Sequence, residues 1–132
     1  MFKERVKLAN ILVVEDNHID VMVVKALLDK YFNLHICTNP QAALDAIENT
    51  NFDIVLTDIN LKDDKMNGVE LMKKIRENEK HSQTKIFAVT AYYENRNYFL
   101  EQGFDELLTK PVIKEDILDI LNLSISAGIQ NS

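Results

Sequence analysis

The chain has 132 residues, of which 46% are hydrophobic, a length and composition typical of one domain with a buried core. Fifteen Lys and Arg against 21 Asp and Glu give a formal net charge of −6, which argues against direct binding of nucleic acid or anionic lipid by the domain. One cysteine, Cys37, excludes an intrachain disulfide, and neither an apolar run of about 20 residues nor a secretion signal is present, so we expect a cytoplasmic location without a membrane span.

The first third of the chain alternates between a strand pattern and a helix pattern. Residues 11–14 (ILVV) are uninterrupted and rich in β-branched side chains, which indicates a strand covered on both faces. From residue 19 to residue 28 the period changes to that of a helix, with an apolar face formed by Ile19, Met22, Val23, Ala26 and Leu27. Residues 34–37 (LHIC) form a second predicted strand.

The middle third repeats this alternation. Asn39 followed by Pro40 is a helix-start signal, because an Asn side chain caps the first turn and Pro suits the first helical position. Residues 52–57 (FDIVLT) predict the third strand. Gly68 introduces a third helix, whose predicted buried stripe is Leu71, Met72 and Ile75.

The last third adds two more strands. Residues 85–90 (KIFAVT) predict the fourth strand, and a short helix follows from about residue 95 to residue 102, ended by Gly103 in the left-handed conformation. Residues 106–109 (ELLT) predict the fifth strand, and a last helix is marked by Ile113, Ile117, Ile120 and Leu121. Strands that alternate with helices indicate an α/β fold with a parallel sheet and right-handed crossover connections.

Polar side chains stand at the ends of four of the five predicted strands: Glu15 and Asp16, Asp58, Thr90, and Lys110. Because ligands of an open parallel sheet bind beyond the carboxyl ends of its strands, we expect these groups to converge at one edge. Three carboxylates beside one ammonium would repel each other unless a cation or a bound proton joined them.

All-oxygen ligands suit Mg²⁺, which keeps several waters when few protein carboxylates hold it. Mg²⁺ beside Asp58, with Lys110 and Thr90 opposite, would leave a space the size of a phosphoryl group. An aspartate carboxylate is a covalent acceptor of phosphoryl groups. The strand ends therefore predict phosphoryl chemistry at Asp58.

Five motifs resemble those of the receiver domain of two-component response regulators, each at a predicted strand end or the loop beyond it: ILVVEDN with Glu15 and Asp16, IVLTDINL with Asp58, MNG (66–68), FAVTA with Thr90, and LLTKP with Lys110 and Pro111. The resemblance covers residues 10–123, with residues 1–9 as a leader and residues 124–132 as a tail or linker. It implies a doubly wound, flavodoxin-like (βα)₅ fold with a five-stranded parallel sheet in the order 2-1-3-4-5.

The resemblance also implies a metal site. Asp16 would ligate Mg²⁺ directly and Glu15 through water, while Asp58 and the backbone carbonyl of Asn60 would complete the protein ligands. Asp58 would accept the phosphoryl group, Lys110 would pair with it, and Thr90 would move its hydroxyl onto a phosphoryl oxygen.

The implied partners are a histidine kinase or a histidine phosphotransfer protein as donor, and a downstream protein that the sequence does not identify. Phosphorylation would shift a conformational equilibrium, and the domain would promote its own phosphorylation and dephosphorylation without being an enzyme. We expect a monomer or a weak dimer through the fourth helix, the fifth strand and the fifth helix. The domain would act alone or as part of a larger regulator or hybrid kinase.

The chain departs from the family pattern in three places. Leu107 stands where relatives often carry a Tyr or Phe switch, so coupling from Thr90 to an aromatic ring would be altered or absent. The loop from Asp58 to Gly68 is longer than usual, and Lys62 replaces a common Pro. The resemblance also places Tyr92 at a position that tunes phosphoryl lifetime in relatives, and we expect its ring to hinder the attacking water.

Three other functions are compatible with parts of the pattern. A haloacid-dehalogenase-like phosphohydrolase would need a second Asp where Asn60 stands, because an amide cannot shuttle protons. A flavodoxin-like carrier of FMN would place a phosphate beside Glu15 and Asp16, which repel it. A scaffold that cannot be phosphorylated would not need the complete set of acidic residues.

Overall fold

The computed structural model describes residues 9–63, 65–91 and 95–110, together with residues 115 and 119. Five strands form one parallel sheet: β1 (Asn10–Val14), β2 (Asn33–Cys37), β3 (Ile54–Asp58), β4 (Lys85–Thr90) and β5 (Glu106–Thr109). Their order is β2-β1-β3-β4-β5, which confirms the predicted doubly wound fold. The order in which successive strands are added reverses between β1 and β3, and doubly wound sheets bind ligands at this point.

Four helices connect the strands within the described ranges: α1 (His18–Leu28), α2 (Pro40–Asn49), α3 (Gly68–Glu77) and α4 (Arg96–Gln102). A short 3₁₀ turn, Glu79–His81, lies between α3 and β4. The predicted last helix, marked by Ile113 and the residues that follow it at helical spacing, lies outside the described residues. None of the helices in the described ranges has the length and apolar composition that a membrane crossing requires.

The helix ends follow the local sequence signals. The Asn39 side chain accepts the Ala42 N–H at 2.8 Å, with Pro40 at the first helical position of α2, as predicted. Gly103 ends α4 with a φ of 126°, the left-handed region in which glycine is favoured. These two signals are short-range, so the sequence alone was sufficient to place them.

The core lies on both faces of the sheet. Leu12 and Val14 of β1 belong to one apolar cluster, with α2 and α3, whereas Ile11 and Val13 belong to the other, with α1. Alternate residues of one strand thus face opposite layers, which explains why the strand sequences are apolar without interruption. Full burial of each such side chain stabilises the fold by about 1.5–3 kcal/mol. The sheet is therefore a stable, well-packed support for the residues at its strand ends.

The apolar face that the sequence pattern assigned to α1 is wrong. Ile19 and Met22 are 70% and 69% exposed, whereas Val24 and Leu28 are the residues of α1 that are buried in the core. Because α1 is apolar around most of its circumference, two helical phases fit the sequence equally well. Packing of Val24 and Leu28 against the sheet selects the other phase, and this phase turns Asp20 toward the strand ends.

Candidate functional site

The predicted polar residues meet at the carboxyl edge of the sheet. Backbone hydrogen bonds extend the strand ladder past the strand ends: Glu15 N–H donates to the Cys37 carbonyl at 2.9 Å, and Lys110 N–H donates to the Thr90 carbonyl at 2.7 Å. These bonds fix the backbone of the first residue after β1, Glu15, and of the first residue after β5, Lys110. The structure consequently brings Glu15, Asp16, Asp58 and Lys110 into one site, with Thr90 at the same edge.

Asp58, the last residue of β3, is buried and held on both carboxylate oxygens. Its Oδ1 accepts the Asn60 N–H at 2.9 Å, and its Oδ2 accepts from the Lys110 ammonium at 3.1 Å. Ile59 N–H donates to the Val89 carbonyl at 3.0 Å, which ties the next residue to β4. The carboxylate therefore has a defined orientation before any ligand arrives.

Gly68 makes this arrangement sterically possible. A Cβ at this position would lie 2.3 Å from the Asp58 carbonyl oxygen and 2.7 Å from the Ile59 Cα. Its N–H donates to the Ile59 carbonyl at 3.1 Å. The first turn of α3 thus packs directly against the end of β3, and only a residue without a side chain fits between them.

Three carboxylates form a cluster of oxygen donors. One oxygen from each of Glu15, Asp16 and Asp58 lies within 4.8 Å of the others. Asp16 Oδ2 also accepts the Lys62 N–H at 2.6 Å, which anchors the long loop after β3 to the loop after β1. Hard oxygen donors at this separation suit a divalent cation such as Mg²⁺, and a cation would relieve their mutual repulsion.

Glu15 carries the clearest electrostatic sign of this repulsion. Burial raises its pKa from an ordinary 4.5 to about 7, and the neighbouring Asp58 carboxylate contributes to the increase. The Lys110 ammonium, 2.9 Å from Glu15 Oε1, and the Asn17 N–H, 3.2 Å from Oε2, oppose the increase. In the absence of a metal the site therefore retains a proton near neutral pH.

Lys110 is the single cation among the described residues of this cluster, and three carboxylates surround it. Its Nζ lies 2.8 Å from Asp20 Oδ2, 2.9 Å from Glu15 Oε1 and 3.1 Å from Asp58 Oδ2. Burial by itself would lower the pKa of Lys110, but the hydrogen bonds to these carboxylates raise it above its ordinary value. The side chain is therefore a permanent positive charge beside Asp58.

Asp20 is a member of the site that the sequence reasoning missed. It lies in the first turn of α1, where an acidic residue is common for local reasons. The signal that could have found it is its position four residues after Asp16, at the start of a helix that follows a strand end. Only the helical phase turns it toward Lys110, and that phase was predicted incorrectly.

The comparisons with known proteins agree with this geometry. A family model described as a response regulator receiver domain matches residues 11–122. The chain belongs to this family. It is 32% identical over 114 residues to the autoinducer 2 sensor kinase/phosphatase LuxQ of Vibrio vulnificus, and the match covers 84% of this chain and 13% of that protein. The chain thus corresponds to about one eighth of the length of this relative.

Two solved structures extend the comparison. One is the receiver domain of sensor histidine kinase PA1611 of Pseudomonas aeruginosa, with a magnesium ion coordinated in its active-site cleft. It is 26% identical, with a TM-score of 0.80 and coverage of 89% of this chain and 98% of that one. The other is the receiver domain of Ssk1 of Saccharomyces cerevisiae, in complex with the histidine phosphotransfer protein Ypd1 (26% identity, TM-score 0.73, 83% of each chain).

Within this receiver domain, Thr90 and Leu107 occupy neighbouring strands. Thr90 is buried at the end of β4 and pairs with Thr109 of β5 in the strand register. Leu107 is buried too, and belongs to the apolar core cluster that also contains Phe99 and Phe104. An aliphatic side chain fixed in the core cannot alternate between inward and outward positions as an aromatic switch would. Tyr92 and Pro111 lie outside the described residues.

Proposed function

We propose that this receiver domain accepts a phosphoryl group on Asp58 from a phosphohistidine, in a reaction that requires Mg²⁺. The observation that carries the proposal is the orientation of Asp58, whose two carboxylate oxygens are held by the Asn60 N–H and the Lys110 ammonium next to the Glu15 and Asp16 carboxylates. A nucleophile that is already oriented and faces a fixed positive charge is suited to in-line attack on phosphorus.

The transfer needs one bond to form and one to break. A carboxylate oxygen of Asp58 attacks phosphorus, the bond from phosphorus to the histidine nitrogen breaks, and its electron pair remains on the imidazole. Lys110 would then donate to a phosphoryl oxygen, and the Thr90 hydroxyl would do so after a movement of its loop. The phosphoryl group would be lost by hydrolysis, in which water attacks phosphorus, the bond from phosphorus to the Asp58 oxygen breaks, and Asp58 recovers its carboxylate as inorganic phosphate leaves.

The acidic cluster would hold the metal. Asp16 and Asp58 are the proposed direct ligands, Glu15 is proposed to act through water, and the Asn60 carbonyl is proposed as the remaining protein ligand. When bound, Mg²⁺ would neutralise charge on the phosphoryl oxygens. The all-oxygen donor set within 4.8 Å supports this assignment, as does the magnesium ion in the similar receiver domain of PA1611.

A histidine kinase or a histidine phosphotransfer protein is the proposed phosphoryl donor. The similarity to the sensor kinase LuxQ and to a receiver domain crystallised with Ypd1 supports this class of partner. We also propose that phosphorylation changes the contacts of the domain with another protein, through α4, β5 and the last helix predicted from the sequence. Tyr98 of α4 is half exposed, and the Arg96–Glu106 ion pair joins α4 to β5 with N–O distances of 2.8 and 3.0 Å.

The experiment is phosphorylation by acetyl phosphate, followed by intact-mass spectrometry. With Mg²⁺ the protein is expected to gain the mass of one phosphoryl group, whereas the Asp58→Asn variant, or wild type with excess chelator, is not. Modification of the Asp58→Asn variant to the same extent would refute the assignment of the acceptor. Sustained release of p-nitrophenol from p-nitrophenyl phosphate would favour a phosphohydrolase instead.

A further inference from the structure

The Lys110 ammonium already contacts three carboxylates, so it has no N–H group left over for a phosphoryl group. An ammonium carries three N–H donors, and each lies within hydrogen-bond distance of a different carboxylate, on Glu15, Asp20 and Asp58. When a phosphoryl group forms on Asp58, its oxygens must share or displace one of these three contacts. The strength of the contacts that remain then sets how well Lys110 can hold the phosphoryl group.

Asp20 makes the shortest of the three contacts, 2.8 Å from Nζ, although the proposed chemistry assigns it no role. Asn17 holds it in place, because its side chain accepts the Ile19 and Asp20 N–H groups at 3.0 Å each and caps α1. Asp20 is not among the three carboxylates of the metal cluster. Its side chain is 34% exposed, so it contacts water as well as Lys110.

We propose that Asp20 is a positioning residue that draws Lys110 toward α1 and competes with the phosphoryl group for its ammonium. This inference rests on the proposed function, because it concerns the stability of the phosphorylated form. A phosphoryl group on Asp58 and the Asp20 carboxylate are both anions, and both require the same donor atom. Asp20 therefore weakens the phosphorylated state and shortens its lifetime.

A purely structural role of Asp20 has different consequences. An acidic residue in the first turn of a helix stabilises that helix through the helix dipole, independently of any ligand. Its loss would lower the stability of α1 and leave phosphoryl affinity unchanged. Asp20→Asn preserves the size of the side chain and removes its charge, so a change in affinity reports the competition, whereas a lower melting temperature alone reports the structural role.

The test is titration of the protein with beryllofluoride at saturating Mg²⁺, followed by calorimetry, with phosphoryl half-life after acetyl phosphate as a second readout. Asp20→Asn is expected to bind beryllofluoride about twofold to fivefold more tightly, the range given by loss of a partly exposed competing ion pair. Its phosphoryl half-life should increase in the same direction. Asp20→Glu, which can still reach Lys110, is expected to restore values close to those of wild type.

Asp29→Asn is the matched control, since it makes the same charge change at the other end of α1, where Asp29 is the C-terminal cap. It should leave beryllofluoride affinity unchanged. If Asp20→Asn bound beryllofluoride with the same affinity as wild type or more weakly, whatever its melting temperature, Asp20 would not compete with the phosphoryl group for Lys110. An equal gain in Asp29→Asn would overturn it too, because the effect would then be one of net charge. Failure of wild type itself to bind beryllofluoride would remove the proposed function and this inference together.

Discussion

Glu15 is the residue at which burial and metal binding oppose each other. In the folded, metal-free protein its pKa is about 7 instead of 4.5, mainly because burial disfavours its charged form. The folded protein thus binds this proton more tightly than the unfolded chain does. The resulting stability is complete below pH 4.5 and is lost as the pH rises toward 7.

Replacement of Glu15 by Gln should therefore stabilise the metal-free protein in a pH-dependent manner. At pH 8 the free energy of unfolding is expected to exceed that of wild type by up to about 3 kcal/mol, and the two proteins should converge near pH 4.5. Urea unfolding at a series of pH values in chelator measures the difference. Addition of Mg²⁺ at pH 8 should stabilise wild type more than the variant. Parallel stability profiles across this pH range would contradict the account.

The site residues divide into those that the sequence could predict and one that it could not. Five of the site residues lie at the carboxyl end of a strand or within two residues of it: Glu15, Asp16, Asp58, Thr90 and Lys110. Because the carboxyl ends of parallel strands lie at one edge of the sheet, the proximity of these residues follows from the fold class. The contact of Asp20 with Lys110 depends on the rotation of α1 about its axis, which the strand ends do not determine. Their proposed roles in catalysis and metal binding remain predictions.

At the level of elements, the contact between β3 and α3 connects the fold to the site. At position 68 only glycine allows the first turn of α3 to approach the Asp58 carbonyl. The groups that a Cβ would meet there are backbone atoms. Backbone atoms cannot rotate away as a flexible side chain can. Any substitution at Gly68 must consequently move the end of the strand that presents Asp58.

Gly68→Ala is expected to lower the free energy of unfolding by about 1–3 kcal/mol and to slow phosphorylation by acetyl phosphate by about tenfold or more. Gly103→Ala is the control, because it is also strained, through its positive φ of 126°, but lies before β5 at the opposite edge of the sheet. It should lower stability without a comparable loss of phosphorylation. Equal phosphorylation rates in the two variants would show that the β3–α3 contact does not position Asp58.

The helix α1 demonstrates what periodicity alone leaves open. The existence and length of the helix could be predicted, since apolar residues recur at helical spacing from Ile19 to Leu28. Its buried face could not, because Val21, Val24 and Leu28 form a second apolar stripe beside that of Ile19, Met22 and Val23. The choice between the two stripes is made by long-range packing against the sheet, where Val24 and Leu28 complete a cluster with Ile11 and Val13 of β1.

For the whole molecule, the order of the strands explains how residues distant in sequence form one site. Asp16 and Lys110 are far apart in sequence, yet their strands lie in one sheet with β3 at its centre. A phosphoryl group carries between −1.5 and −2 charges at neutral pH and replaces the single negative charge of the Asp58 carboxylate, beside the carboxylates of Glu15 and Asp16. We therefore expect the modified state to depend on both Mg²⁺ and Lys110.

The most direct test of Asp58 as the phosphoryl acceptor is a crystal structure of the protein with Mg²⁺ and beryllofluoride. Beryllofluoride mimics a phosphoryl group. We expect beryllofluoride on a carboxylate oxygen of Asp58, within hydrogen-bond distance of the Lys110 Nζ, and Mg²⁺ against Asp16. Beryllofluoride bound elsewhere, or absent from Asp58 in a correctly folded protein at saturating Mg²⁺, would contradict the assignment of Asp58 as the phosphoryl acceptor.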